Sequence, residues 1–269
     1  MITAEQLKAS AHQPKGELKG LLKLTHAHVR KHELVLSSEI SQRFEQVLLE
    51  QRQKDRLAQY GLLPRRKLLF TGPPGTGKTM SAAVLATELK LPLYTIVLDN
   101  LITRFMGETA AKLRFIFDYI RQTKAVYLFD EFDAIGAKRN AKNDVGEIRR
   151  VLNSFLILVE QDNSESIILA ATNHPELLDK ALYRRFDDIV QFEKPDKDQI
   201  KCIIENRLSS FEINKLSWSK ITKEAEKLSS GEVTRSCEDA AKEAVLCYDA
   251  EITTELLLKA LHRRHGSKK

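Results

Sequence analysis

The apolar positions change rhythm twice along the chain. Between Lys15 and Val29, the residues Leu18, Leu21, Leu22 and Val29 fall at helical spacing, with Lys15, Lys19 and Lys23 between them. That stripe predicts an amphipathic helix. A second helix is predicted from Ser38, a good N-cap, with Ile40, Phe44, Val47 and Leu48 on one face and an end near Gly61. Leu34-Val35-Leu36 between them reads as a short strand or a connector. From residue 67 onward, short β-rich runs alternate with helical stretches. The strands are expected at Lys67–Thr71, Leu93–Leu98, Ala125–Asp130, Ser166–Thr172 and Ile189–Phe192. The helices are expected at Lys78–Lys90, Thr109–Thr123, Val145–Glu160 and Pro175–Leu182. Such alternation implies a parallel sheet, here five-stranded, with helices on both faces. After Pro195 the strand pattern stops, and residues 196–265 read as about four short helices. The expected organisation is a helical N-terminal segment (1–59), an α/β domain (60–194) and an all-α domain (195–269).

Composition fits that plan. The 269 residues are 42% hydrophobic and 30% charged, enough for a real core and too apolar for a disordered chain. No apolar run approaches ~18 residues, which excludes a membrane-spanning helix, and no signal-like segment opens the chain. Cys202, Cys237 and Cys247 are odd in number and form no CxxC pair. That excludes a disulfide framework and predicts a reducing, cytoplasmic setting. The net charge of +6 is concentrated early, where residues 1–66 hold 12 Lys/Arg against 7 Asp/Glu, together with His12, His26, His28 and His32. This basic segment reads either as an arm for a partner, nucleic acid included, or as a solvated helix face. His32-Glu33 begins a zinc-protease pattern, but Leu36 stands where the second His belongs, so the metal reading fails.

The chemistry lies at the ends of the predicted strands. Gly72-Pro73-Pro74-Gly75-Thr76-Gly77-Lys78-Thr79 fits GxxxxGK[ST] in full, follows the apolar run Leu68-Leu69-Phe70 and opens an Ala-rich helix. The glycines let backbone N–H groups turn inward around phosphate oxygens, and the helix N-terminus adds partial positive charge. The nucleotide-contacting set therefore runs from Gly72 to Met80. Lys78 is expected to reach the β- and γ-phosphates of ATP, and Thr79 to hold Mg²⁺. Val126-Tyr127-Leu128-Phe129 ends in Asp130-Glu131, about 50 residues further on in the right topological order. Asp130 is placed to bind Mg²⁺, and Glu131 to act as the base for an attacking water. Asp133 is expected to cap the next turn. Ile167–Thr172 ends at Asn173, whose amide either touches the γ-phosphate and the water or merely forms a turn before Pro175.

Together these residues resemble the AAA ATPases of the AAA+ group. Arg104-Phe105-Met106-Gly107-Glu108 is similar to the family's aromatic pore loop, with Phe105 and Met106 facing substrate. Leu178-Asp179-Lys180-Ala181-Leu182-Tyr183-Arg184-Arg185-Phe186-Asp187 resembles its arginine-finger segment, which implies catalytic roles for Arg184 and Arg185. Ser229-Ser230-Gly231-Glu232-Val233 sits where the family's lid carries a Ser-Gly-Ala-Asp-Leu-like stretch, with Ser230 in place of the usual Gly. The resemblance spans about residues 60–250 and implies a doubly wound P-loop domain, a helical lid and a ring, usually a hexamer. Adjacent Arg184 and Arg185 are similar to the severing and scission branches, katanin and spastin among them. The whole sequence is more similar to stand-alone bacterial members. Arg149 and Arg150 act across the subunit interface if the resemblance holds there; otherwise they are a solvated helix face.

The function so implied is an ATP-hydrolysing motor that remodels a macromolecule, with a protein substrate or a partner enzyme such as a protease. A nucleotide-switched scaffold and a nucleic-acid remodeller are the alternatives; Glu131 and Phe105 favour the motor. The absence of an NKxD-type motif after the P-loop argues against a GTPase. Because every phosphate-handling residue lies at or beyond Gly72, deletion of residues 1–35 is expected to spare the site.

Overall fold

Continuous apolar runs become strands buried on both faces, which is the signature of a parallel sheet covered by helices. The computed structural model describes residues 14, 16–25, 29–101, 106–132, 145–178 and 180–266. Arg104, Phe105, Asp133 and Asp179 lie outside these residues, as do the side chains of Met106, Arg149 and Arg150. The strands are β1 (Leu22–Thr25), β2 (Lys67–Thr71), β3 (Leu93–Ile96), β4 (Val126–Phe129), β5 (Ile167–Thr172) and β6 (Asp188–Gln191), in the spatial order β1-β3-β4-β5-β2-β6. All pair in parallel except β1, which runs antiparallel to β3.

The five strands expected from the sequence form within one or two residues of their predicted ends, and the sixth was not expected. In place of a helix over Lys15–Val29 there is a 3₁₀ turn, Gly16–Leu18, followed by β1. Gly16 and Gly20 take positive φ, +62° and +95°, which breaks a helix on both sides of Leu18. Leu22 then pairs with Ile96 and Thr25 with Leu93, while Leu21 and Leu22 are buried in the main core.

This placement also corrects the deletion expectation. Removing residues 1–35 would uncover the β3 edge and take away Leu34, whose Cδ1 lies 3.3 Å from where a Cβ on Gly77 would stand. The single change Leu22→Ala is expected to lower stability by roughly 2–5 kcal/mol, read in thermal or urea melts. A wild-type midpoint in Leu22→Ala would show that β1 is not part of the core.

Contacts divide the chain into two units. The first comprises residues 1–31, 42–72 and 78–191 and contains the sheet. Its helices are α1 (Ser38–Arg52), α2 (Lys54–Ala58), α3 (Lys78–Leu89), α4 (Leu98–Leu101), α5 (Met106–Gln122), α6 (Val145–Gln161) and α7 (Lys180–Tyr183), although the first turn of α1 belongs to the other unit. The helix predicted over Pro175–Leu182 is instead a 3₁₀ turn, Pro175–Leu177, and then the short α7. Phe117, Phe129, Phe132 and Phe155 meet in the core, with Phe155 centred 4.8 Å from Phe129 and 4.5 Å from Phe132. An ion-pair network ties α1 to β6: Arg65 forks onto Glu50 at 2.7 Å and reaches Asp188 at 3.1 Å, and Arg43 reaches the same Asp188 at 2.8 Å. Burial pushes the Glu50 carboxyl up, but the Arg65 hydrogen bonds outweigh it and hold the group at about 2.

The second unit comprises residues 32–41, 73–77 and 192–269 and is helical. It contains the four helices expected after Pro195: α8 (Lys197–Arg207), α9 (Trp218–Ala225), α10 (Ser230–Cys247) and α11 (Thr254–Gly266). Asp196 with Gln199, and Ser229 with Glu232, form capping boxes that start α8 and α10. Ile200, Ile204, Ile221, Cys237 and Leu257 close the core of this unit. Burial pushes the Cys237 thiol up to about 12, as befits a core residue. Cys247, ten residues further along α10, is exposed. Among the described residues, no helix is long and apolar enough to cross a membrane.

Candidate functional site

Parallel strands deliver their C-terminal ends to one edge of a sheet. Here β4, β5 and β2 are neighbours, with Phe129 opposite Ala170 and Thr71 opposite Thr172. Gly72, Asp130 and Asn173 therefore follow three adjacent strands at the same edge.

After β2 the chain turns through Gly72, Gly75 and Gly77, all at positive φ (+135°, +75° and +105°), a path that side chains resist. Thr76 Oγ1 donates to the Pro73 carbonyl at 2.8 Å and braces the turn. Lys78 then opens α3 with only 6% of its surface exposed. Its ammonium donates to the Gly72 carbonyl at 2.7 Å and to Asn173 Oδ1 at 2.8 Å. Asn173 is thus more than a turn residue, because it holds the lysine that the motif aims at phosphate. Thr79 is exposed, and its hydroxyl donates to Asp130 Oδ2 at 2.7 Å. Met80 is half-buried in the same first turn.

Glu131 takes the left-handed conformation at φ +51°, rare for a residue with a side chain. Its neighbours hold it there. Its own N–H donates to Asp130 Oδ1 at 3.0 Å, while Phe132 is fully buried and donates its N–H to the Ala171 carbonyl at 2.8 Å. The carboxylate is left exposed. Strain of this kind collects where a side chain must be aimed.

Thr79 and Asp130 set two hard oxygens side by side. That set fits Mg²⁺, which takes one or two protein oxygens and completes its octahedron with phosphate and water. No group of three or more His, Cys, Asp or Glu side chains suited to a metal occurs among the described residues.

In the helical unit, Gly75 meets the start of α10. The Gly231 N–H donates to the Gly75 carbonyl at 2.8 Å, and a Cβ on Gly75 would stand 2.7 Å from Ser229 Oγ. The Ser229–Val233 stretch singled out in the sequence thus touches the phosphate loop through backbone, and Ser230 does not prevent it.

Elsewhere in the sheet unit, Arg184 is exposed, whereas Arg185 is half-buried and pairs with Glu160 at 2.6 Å. Sequence reasoning missed Glu160 altogether, since no motif links it to a residue 25 positions away. The described residues bring together Gly72, Lys78, Thr79, Asp130, Glu131 and Asn173. Among the described residues, neither Arg184 nor Arg185 bonds to that group.

Residues 68–194 match the model of the ATPase family associated with various cellular activities, AAA. Residues 68–194 therefore form an AAA ATPase domain. It is 36% identical over 197 residues to the AAA family ATPase y4kL of Sinorhizobium fredii, covering 73% of this chain and 59% of that one. It is also 32% identical over 217 residues to the proteasome-activating nucleotidase of Methanococcus vannielii, covering 77% of this chain and 53% of that one. The chain therefore spans about half the length of the curated relatives it matches. The solved AAA domain of FIGL-1 has the same fold, at a TM-score of 0.70 and 20% identity over 90% of this chain and 85% of that one. Within the AAA family, ATP hydrolysis is the shared activity.

Proposed function

We propose that this chain is the motor part of a ring-forming, Mg²⁺-dependent ATPase, a hexamer, that remodels or unfolds a protein substrate. Residues 60–194 serve as its ATPase domain and residues 195–269 as its lid. One observation carries the reading: Lys78 meets Asn173, and Thr79 meets Asp130, beyond the ends of three adjacent parallel strands. Lys78 and the loop N–H groups take the β- and γ-phosphates of ATP. Thr79 and Asp130 hold Mg²⁺, which, when bound, neutralises charge on those phosphates. Glu131 takes the proton of the attacking water, and Asn173 orients that water. Three free thiols, Cys202, Cys237 and Cys247, suit a cytoplasmic setting. A protein substrate is supported by relatives that bear the name proteasome-activating nucleotidase.

ATP should promote assembly, and activity per chain should rise with concentration, because finger arginines act in trans. Sedimentation with parallel phosphate-release assays reads both; an active monomer at every concentration refutes the ring. Phe105 tests the motor. Phe105→Ala is expected to keep its melting temperature and its ATP hydrolysis while losing ATP-driven unfolding of a fluorescent reporter carrying an unstructured tail. A fall of ~3–5 kcal/mol in stability would instead make Phe105 a core residue.

A further inference from the structure

The turn between α7 and β6 is pinned at every side chain but one. Leu182 and Phe186 are buried. The Tyr183 hydroxyl donates to the Pro175 carbonyl at 2.9 Å. Asp187 Oδ2 accepts from the backbone N–H groups of Arg66 at 2.8 Å and Lys67 at 2.9 Å, which ties the turn to the start of β2. Arg185 donates its backbone N–H to the Leu182 carbonyl at 3.1 Å, and its guanidinium Nη1 makes an ion pair, without hydrogen-bond alignment, with Glu160 in the last turn of α6 at 2.6 Å. That end of α6 is itself fixed, since Asp162 pairs with Arg66, and Lys67 Nζ reaches the Glu160 carbonyl at 3.4 Å. Arg184 is exposed and, unlike its neighbours in the turn, makes no hydrogen bond or ion pair among the described residues.

We propose that the two adjacent arginines divide the work: Arg184 is the trans-acting finger, and Arg185 is a positioning residue that locks the finger turn onto α6 through Glu160. The proposal rests on the ring-ATPase reading above. A finger adds rate only if it reaches a neighbour's phosphate already oriented, because placement errors of an ångström are costly. The half-exposed Arg185–Glu160 pair adds little stability. Its contribution is geometric: it fixes the direction in which the next residue points. The choice of α6 as anchor has a consequence. Phe155 of α6 packs on Phe129 and Phe132, which bracket Asp130 and Glu131. The finger offered to the neighbour is thereby referenced to this chain's own hydrolytic residues.

The test uses the whole chain at ring-forming concentration. Arg184→Ala should lower kcat by about 10³-fold or more, with ATP affinity and melting temperature unchanged. Arg185→Ala and Glu160→Gln should each lower kcat by about ten- to hundredfold. The double variant should fall no further than either alone, since both remove one interaction. Arg185→Lys, which keeps the pair, should recover most activity. Arg184→Lys, which loses the planar fork, should not. If Arg185→Ala falls as far as Arg184→Ala while Glu160→Gln is wild type, Arg185 is itself a finger and the proposal is overturned. If Arg184→Ala and Arg185→Ala are both fully active, the trans reading beneath it has failed as well.

Discussion

Glu131→Gln is expected to bind ATP as the wild type does and to lose turnover by about 10²–10⁴-fold, the usual share of a general base. Glutamine has the same length and shape, so the left-handed turn and its two backbone anchors, to Asp130 Oδ1 and to the Ala171 carbonyl, persist. What is lost is only the capacity to take a proton. Lys78→Ala is the opposite case and should remove binding itself. The lysine is the buried cation of the site, and its loss also strips donors from the Gly72 carbonyl and Asn173 Oδ1. Both acceptors are half-buried, and losing this donor adds a cost on top of the missing charge. Calorimetric ATP titration and phosphate release distinguish the two variants. Vigorous hydrolysis by Glu131→Gln would remove Glu131 from the mechanism.

The second large effect is expected at Gly75. At φ +75° a side chain costs about 1–2 kcal/mol by itself. A Cβ there would also stand 2.7 Å from Ser229 Oγ and 3.3 Å from Ser229 Cβ. Relief requires moving Ser229, which caps α10, and disturbing the Gly231 N–H to Gly75 carbonyl bond. Loss of a cap adds roughly another 1 kcal/mol. Gly75→Ala should therefore lower the melting point and abolish measurable ATP binding, because the loop N–H groups turn away from the phosphates. Gly231→Ala is the control. Its Cβ would meet the Gly75 carbonyl oxygen at 3.4 Å and Gly75 Cα at 3.6 Å, which is ordinary contact, so it should be tolerated. Alanine also occupies that place in the lid stretch the segment resembles. A Gly75→Ala chain with wild-type melting and ATP affinity would show that the loop is not held as described.

Much of this molecule was settled by the sequence because its signals are local. The strands β2, β4 and β5 declare themselves by apolar runs that are buried throughout, as a doubly covered parallel strand requires. The phosphate loop declares itself because a tight turn of inward N–H groups needs glycine at set positions, followed at once by a helix. Asp130, Glu131 and Asn173 follow from strand ends, since a parallel sheet gathers those ends at one edge. Pairings distant in the chain could not be read in this way. Leu18, Leu21 and Leu22 fit a helical stripe, while Leu22-Lys23-Leu24-Thr25 fits alternation equally well. Only the β3 edge, some 70 residues away, decided for a strand, because an open edge and two buried leucines outweigh weak local preference. Arg184 and Arg185 are the same residue type side by side, so no pattern can separate them. The carboxylate of Glu160, brought up by α6, does so in the folded chain. Gly75 and Gly231 likewise look like two unrelated glycines until the fold brings their backbones within a hydrogen bond.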